Sequence, residues 1–225
     1  MTFSILGFCE RTKMTGVAVT TSSISVGSRC PWARAGTGAV STQNITDPSI
    51  GDKVLNLIEK GDNAEIALNK VVKTVPYVEY RQVAVIDFNG MTSHFTGKEI
   101  LGKNSISEGE NCIAAGNLLK NPQLTAVMTE YFETKKNQHL AERLVNALLR
   151  GIDFGGEEGP THSAAVLVAH DQTWPLVDLR VDWSESCPVK ALSNLWKKYE
   201  PQLNDYLLRA LNPTKAPSYG VPGDE

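Results

Sequence analysis

The residue best placed to do chemistry stands at the head of the chain. It is a threonine directly behind Met1, opening the run Thr2-Phe3-Ser4-Ile5-Leu6-Gly7-Phe8. Cutting the Met1–Thr2 bond would set a free α-amine beside the Thr2 hydroxyl on one residue. An α-amine has a reference pKa of about 7.7 to 8.0, so part of it is neutral near pH 7 and able to take the hydroxyl proton, directly or through one water. Nucleophile and base then come from a single residue. The chemistry this fits is attack on an amide carbonyl, an ester on Thr2 and hydrolysis by water, with no metal or organic cofactor. A retained Met1 makes the amine an amide and removes the base. Two other readings then stand: Ser4, on the same strand face as Thr2, as an internal nucleophile or substrate-binding hydroxyl, or a non-catalytic scaffold for a small molecule or protein partner.

Other signatures are missing. His94, His139, His162 and His170 form no H-E-x-x-H and have no cysteine at ligand spacing, so no metal is expected. Gly36-Thr37-Gly38 is too short for a dinucleotide fingerprint, and neither a P-loop nor G-x-S-x-G occurs. Cys9, Cys30, Cys112 and Cys187 are widely spaced, as expected of reduced thiols in a cytoplasmic protein. The net charge of -3, from 22 basic and 25 acidic side chains, has no basic stripe to recruit nucleic acid. No apolar run reaches the roughly 18 to 20 residues of a membrane span, and the first residues lack a signal-peptide pattern.

The elements that must position Thr2 are legible as alternating and helical patterns. Phe3–Phe8 and Thr15–Thr21 read as a hairpin, with a third strand from about Gly36 to Gln43. Asp47-Pro48 opens one helix, and Asp62 with Glu65 marks a capping box for the next, whose apolar face is Ile66, Ala67, Val71 and Val72. Tyr80–Phe88, a type I′ turn at Asn89-Gly90 and Met91–Thr96 form a second hairpin. Strand Cys112–Ala115 is followed by helices from Pro122 to about Lys135 and from Leu140 to Leu149, the latter closed by Gly151. Strands Ser163–Ala169 and Trp174–Val181 precede a helical stretch from Val189 to about Leu211, broken near Pro201. Strands in hairpin groups imply largely antiparallel sheets. The expectation is one domain over 1–211, with an extended tail over 212–225. Gln43-Asn44, a polar pair at a strand end, is a candidate for substrate binding or for capping the Asp47 turn.

The chain resembles the family filed as domain of unknown function 1028, placed among the N-terminal-nucleophile (Ntn) hydrolases. The resemblance is carried by Met1-Thr2-Phe3-Ser4-Ile5, Gly16-Val17-Ala18-Val19, Pro31-Trp32-Ala33-Arg34-Ala35-Gly36, Gly38-Ala39-Val40-Ser41-Thr42-Gln43, Arg81-Gln82-Val83-Ala84-Val85, Gly116-Asn117, Ser163-Ala164-Ala165 and Asp178-Leu179-Arg180-Val181-Asp182. It implies an α+β fold: a four-layer αββα sandwich of two mostly antiparallel sheets flanked by helices. It also implies a small-molecule amide as substrate and a homo-oligomer paired through its helices. The Ntn pattern places Ser22 where a short residue orients the nucleophile, Arg34 where a cation stands, and Asn117 as an amide donor to an oxyanion. Each has an ordinary alternative: Ser22 bonding nearby backbone, Arg34 holding a structural carboxylate, Asn117 tolerating a left-handed turn.

Two stretches depart from the family pattern. Where members read like Gly-Gly-Asp-Arg-Arg-Gly-Arg-Gln, this chain has Gly155-Gly156-Glu157-Glu158-Gly159-Pro160-Thr161-His162, without the basic residues. Where members carry a second acid after Asp182, it has Trp183. If those loops rim the pocket, the expected ligand tolerates or prefers a cationic group.

Overall fold

The computed structural model describes residues 1–222. Strands β1 (Thr2–Cys9) and β2 (Met14–Thr21) form the expected hairpin, and every residue in both is buried. Neither strand has a solvated face, so both lie inside the structure rather than at an edge. They sit at the centre of a six-stranded sheet ordered β10-β9-β2-β1-β8-β7. Its other members are β7 (Ser105–Gly109), β8 (Cys112–Asn117), β9 (Ser163–Ala169) and β10 (Val177–Val181). A four-stranded sheet, β3-β4-β5-β6, is built from Pro31–Arg34, Gly38–Asn44, Arg81–Asp87 and Thr92–Thr96. Every strand pairing in both sheets is antiparallel.

Strand alternation sorts the side chains into three apolar layers. Phe3, Ile5 and Cys9 point outward from β1 to helices α3 (Leu124–Glu133), α4 (Leu140–Asp153) and α5 (Pro188–Tyr199), where they meet Leu124, Met128, Phe132 and Leu144. Leu6 and Phe8 point the other way and pack with Val17, Ala39, Ala84 and Ile86 between the sheets. On the far side, Val40, Val83 and Val85 meet helices α1 (Ser49–Glu59) and α2 (Ala64–Val72) through Val54, Ala67, Leu68 and Val71. The result is a four-layer αββα sandwich. Helix α6 (Leu203–Leu211) follows the break at Pro201. Beyond it, Arg209 stacks on Tyr219 at 3.9 Å, so the described part of the tail turns back along α6. Residues 223–225 of the expected tail lie outside the described residues.

Several local expectations are corrected. Strands β3 and β7 have no counterpart in the sequence reading; they are four and five residues long. The acceptor capping α2 is Asn63, which receives the Ile66 N–H at 2.8 Å, while Asp62 pairs with Lys70. Ile66 is exposed, and Leu68 takes the inward position. At Asn89-Gly90 only Gly90 has positive φ (79°). The turn therefore carries a glycine bulge and not the type I′ form, with the Asp87 carboxylate accepting from the N–H groups of Asn89 and Met91. Helix α4 begins at an imidazole cap: His139 Nδ1 accepts the Ala141 N–H at 3.1 Å. Burial pushes that imidazole down to about 4, which keeps it neutral and able to accept.

Helix α4 also continues through Gly151 to Asp153. The glycine is there for proximity: a Cβ at 151 would lie 2.9 Å from the Phe3 ring and 3.1 Å from Met128 Sδ. Gly151→Val forces the helix off the β1 face. The expected cost is about 1 to 3 kcal/mol, read as a lower urea midpoint at unchanged m.

Candidate active site

The layer between the sheets changes character along β1. At the Phe8 end it is mainly apolar, with the Thr15 hydroxyl donating to the Gly38 carbonyl; toward Thr2 it becomes a chain of buried amides and hydroxyls. Ser4 Oγ donates to Gln43 Oε1 at 2.8 Å, and Ser41 Oγ donates to the same oxygen at 3.2 Å. Gln82 Oε1 accepts from Gln43 Nε2 at 2.8 Å and from Asn117 Nδ2 at 3.1 Å, and its own Nε2 donates to the Gly116 carbonyl. This network ties the two sheets together through groups that would otherwise be costly to bury. One atom is left over: Asn117 Oδ1 has no partner among the described residues. Gln82→Leu would strand two buried donors. Its expected cost is about 2 to 5 kcal/mol in equilibrium unfolding.

Thr2 lies at the mouth of this layer, 5% exposed, opposite Thr21 on β2 and Asn117 on β8. Its hydroxyl donates to the Met1 carbonyl at 2.5 Å and stands 3.1 Å from the Thr21 hydroxyl. The Thr21 hydroxyl donates to the same carbonyl oxygen. Thr21 is absent from the sequence candidates, although counting back through the hairpin from Cys9 and Met14 gives its pairing with Thr2.

Glu157 completes the cluster. Its backbone bridges to Leu119 just beyond the end of β8, which carries the side chain inward beside the chain start. It is 2% exposed, and neither carboxylate oxygen has a hydrogen-bond partner among the described residues. Burial pushes its carboxyl up to about 8. The Met1 α-ammonium and the nearby Ser22 N–H pull against that shift without closing a hydrogen bond. Its neighbour Glu158 is on the surface beside Lys103, at 3.6 Å. The two acids of this loop thus divide: one solvated, one at the head of β1.

The remaining candidates are placed as follows. Ser22 lies one residue past β2 and faces Glu157 through its backbone. Arg34 is at the opposite end of the sandwich. It pairs with Gly38 beside Thr15, and its guanidinium is taken by Asp52 at 2.9 Å, Glu59 at 2.8 Å and Asn56 at 2.8 Å on α1. The structural-carboxylate alternative describes it, and it is not brought to Thr2. Asn44, at φ 72°, binds the Tyr80 carbonyl and the Leu101 N–H, joining two loops rather than capping the Asp47 turn. Ser4 and Gln43 join the inter-sheet network, and Asn117 spends its amide donor on Gln82. Trp183 stacks on His162 at 4.3 Å, and the His162 backbone N–H donates to the Thr21 carbonyl, so the aromatic pair borders the Thr21 end of β2. Among the described residues, no group of three or more His, Cys, Asp or Glu comes together as a metal site. Nor is any helix long and apolar enough to cross a membrane. The four cysteines are free, and burial raises the Cys30 and Cys112 thiols to about 11 and about 12.

Two face-to-face antiparallel sheets between helix layers, with a hydroxyl residue heading a central strand, define an αββα sandwich. The chain belongs to the family of unknown function DUF1028, whose family model matches residues 2–192. Its structure is similar to the crystal structure of protein SPO2555 from Silicibacter pomeroyi, a DUF1028 protein. That match has 31% identity and a TM-score of 0.81 over 88% of each chain. Two Anbu structures match more distantly. The Gly-1 mutant from Hyphomicrobium sp. strain MC1 shares 12% identity at TM-score 0.44, covering 98% of this chain and 100% of that one. The ancestral beta-subunit from Yersinia bercovieri shares 9% at 0.39, covering 97% and 100%. The architecture stands on the layers themselves and takes nothing from those two scores. No curated protein matches the chain.

In the chain that carries Met1, Glu157 gives a signed pH dependence. The folded protein holds that proton to about pH 8, whereas an ordinary carboxyl releases it near 4.5. Folding therefore takes up a proton between those values, and stability falls as pH rises across the window. Glu157→Gln is expected to flatten that dependence and to exceed the parent above the window by on the order of a few kcal/mol. Urea titrations at about pH 5 and about pH 9 measure it.

Proposed function

We propose that the protein is an Ntn amidohydrolase acting on a small amide, with Thr2 as nucleophile once the Met1–Thr2 bond is cut. The observation that carries this reading is the fixed Thr2 hydroxyl, at the head of a central strand and in contact with a carbonyl that a second hydroxyl, on Thr21, also grips. After cleavage the amine takes the Oγ1 proton, Oγ1 attacks the substrate carbonyl, and water hydrolyses the resulting ester. Thr21 supplies a donor for the developing oxyanion. Asn117 enters in a different role from that of amide donor. Its free atom is an acceptor, in register with Thr2, and it suits an N–H of the Thr2 amine. Arg34 has no part in this scheme.

A second reading, the non-catalytic scaffold, is supported by the same contact viewed differently. With Met1 in place, its carbonyl is satisfied by two hydroxyls and Thr2 is well held. Intact-mass analysis of protein made in its native host separates the two. Loss of one methionine residue is expected for the enzyme, and full retention supports the scaffold. With processed protein and a panel of small amides, Thr2→Ala is expected to bring turnover down to the uncatalysed rate. Undiminished turnover by Thr2→Ala would remove Thr2 from the mechanism.

A further inference from the structure

Met1 is bound to the site as a ligand would be. Its carbonyl oxygen receives the hydroxyls of Thr2 and Thr21. Its thioether lies along Gly159, where an added Cβ would come within 3.0 Å of Cε and 3.5 Å of Sδ. Its α-ammonium is near enough to oppose the upward shift that burial gives the Glu157 carboxyl, which is 2% exposed with both oxygens unpartnered among the described residues. A buried carboxyl with open acceptors keeps its proton for want of a partner, and a ligand ammonium in direct contact would let it ionise and pair. Beyond Gly159 the groove opens into a pocket of about 300 Å³, lined by Gly155, Gly156, Glu157, Gly159, Pro160 and Thr161 among others. Three glycines on that wall leave room for more than the thioether.

The chemistry of the threonine explains why this arrangement is informative. An acyl group on the nitrogen of a threonine and one on its Oγ1 are related through a five-membered ring. The acyl group held on nitrogen therefore occupies nearly the place an acyl group on Oγ1 would take. We infer that Met1 marks the acyl subsite, and that the substrate is an amide of an α-amino acid with a free ammonium and a slender apolar side chain. This rests on the reading of Thr2 as the nucleophile. The substrate carbonyl sits under the Thr21 hydroxyl, its ammonium faces Glu157, its side chain runs along Gly159, and the leaving amine extends into the pocket.

The steps balance without a co-reactant. The Thr2 amine takes the Oγ1 proton, and Oγ1 bonds to the carbonyl carbon. The carbon–nitrogen bond breaks, and the departing amine receives that proton. Water then adds to the aminoacyl ester, its proton returns to Oγ1, and the products are a free amino acid and an amine.

The test uses processed protein, with loss of Met1 verified by mass, and two substrates: L-methionine 4-nitroanilide and its N-acetyl form, in which the ammonium is gone. The free amine is expected to be preferred roughly 10- to 100-fold in kcat/KM, the range for hydrogen bonds to a charged group. Glu157→Gln is expected to bring that ratio toward one. Gly159→Val, which fills the thioether groove, should penalise the methionyl substrate relative to glycine 4-nitroanilide, and it keeps the question open to test if the Glu157 variant fails to fold. Equal cleavage of both methionyl forms, or an unchanged ratio in Glu157→Gln, overturns the inference and leaves Thr2 catalysis standing. If neither anilide is cleaved, calorimetry with L-methioninamide decides. Binding that is lost on N-acetylation upholds the subsite while the Thr2 mechanism falls. Absence of binding overturns the subsite.

Discussion

A strand that is hydrogen-bonded on both sides from its first residue is the constraint on which the site depends. Chain ends ordinarily fray, because the last few residues have little to hold them. Here Thr2 lies between Thr21 and Asn117 in the sheet, and Phe3, the next residue, is fully buried against the helix layer. The large apolar burial of Phe3 and Ile5 offsets the entropy lost in fixing the terminus. A hydroxyl one residue from the chain end thereby becomes as well positioned as any in the interior.

The inter-sheet layer divides the labour. Leu6, Phe8, Ile86 and Ile113 pack its closed end, where shape alone is required. At the open end, Ser4, Gln43, Gln82 and Asn117 share hydrogen bonds that cross from one sheet to the other. Such a network specifies the offset between sheets more sharply than apolar contact does, because a small slide breaks directed bonds. The sheets are thus indexed to each other close to Thr2, where a displacement would matter most. Glu157 breaks the pattern of satisfaction, and it does so at the chain head.

Much of this was written in local pattern. The period-two alternation of β1 puts Thr2, Ser4, Leu6 and Phe8 on one face. The hairpin groups announce antiparallel sheets, and Ala67 and Val71 are read on the buried face of α2. Arg34 has two readings in the sequence because a cation's position depends on where a short strand points. Strand β3, unrecognised as a strand, carries the guanidinium to the carboxylates of α1 at the far end of the sandwich. Glu157 was legible as a loop acid but not as a buried one, since its burial comes from a single bridge to Leu119, distant in sequence. Gln82 gave no signal at all. A lone glutamine in an apolar strand becomes meaningful only when Gln43 and Asn117 are brought to it.

The placement of Met1 also bears on how the protein is handled in the laboratory. Any peptide fused ahead of residue 1 must continue from the Met1 nitrogen on the Glu157 side, keeping the Thr2 nitrogen acylated and the pocket mouth obstructed. A purification handle at the amino end would therefore yield well-folded material with a plugged cleft. The carboxyl end, beyond α6 and remote from β1 in the chain, is where such a handle belongs.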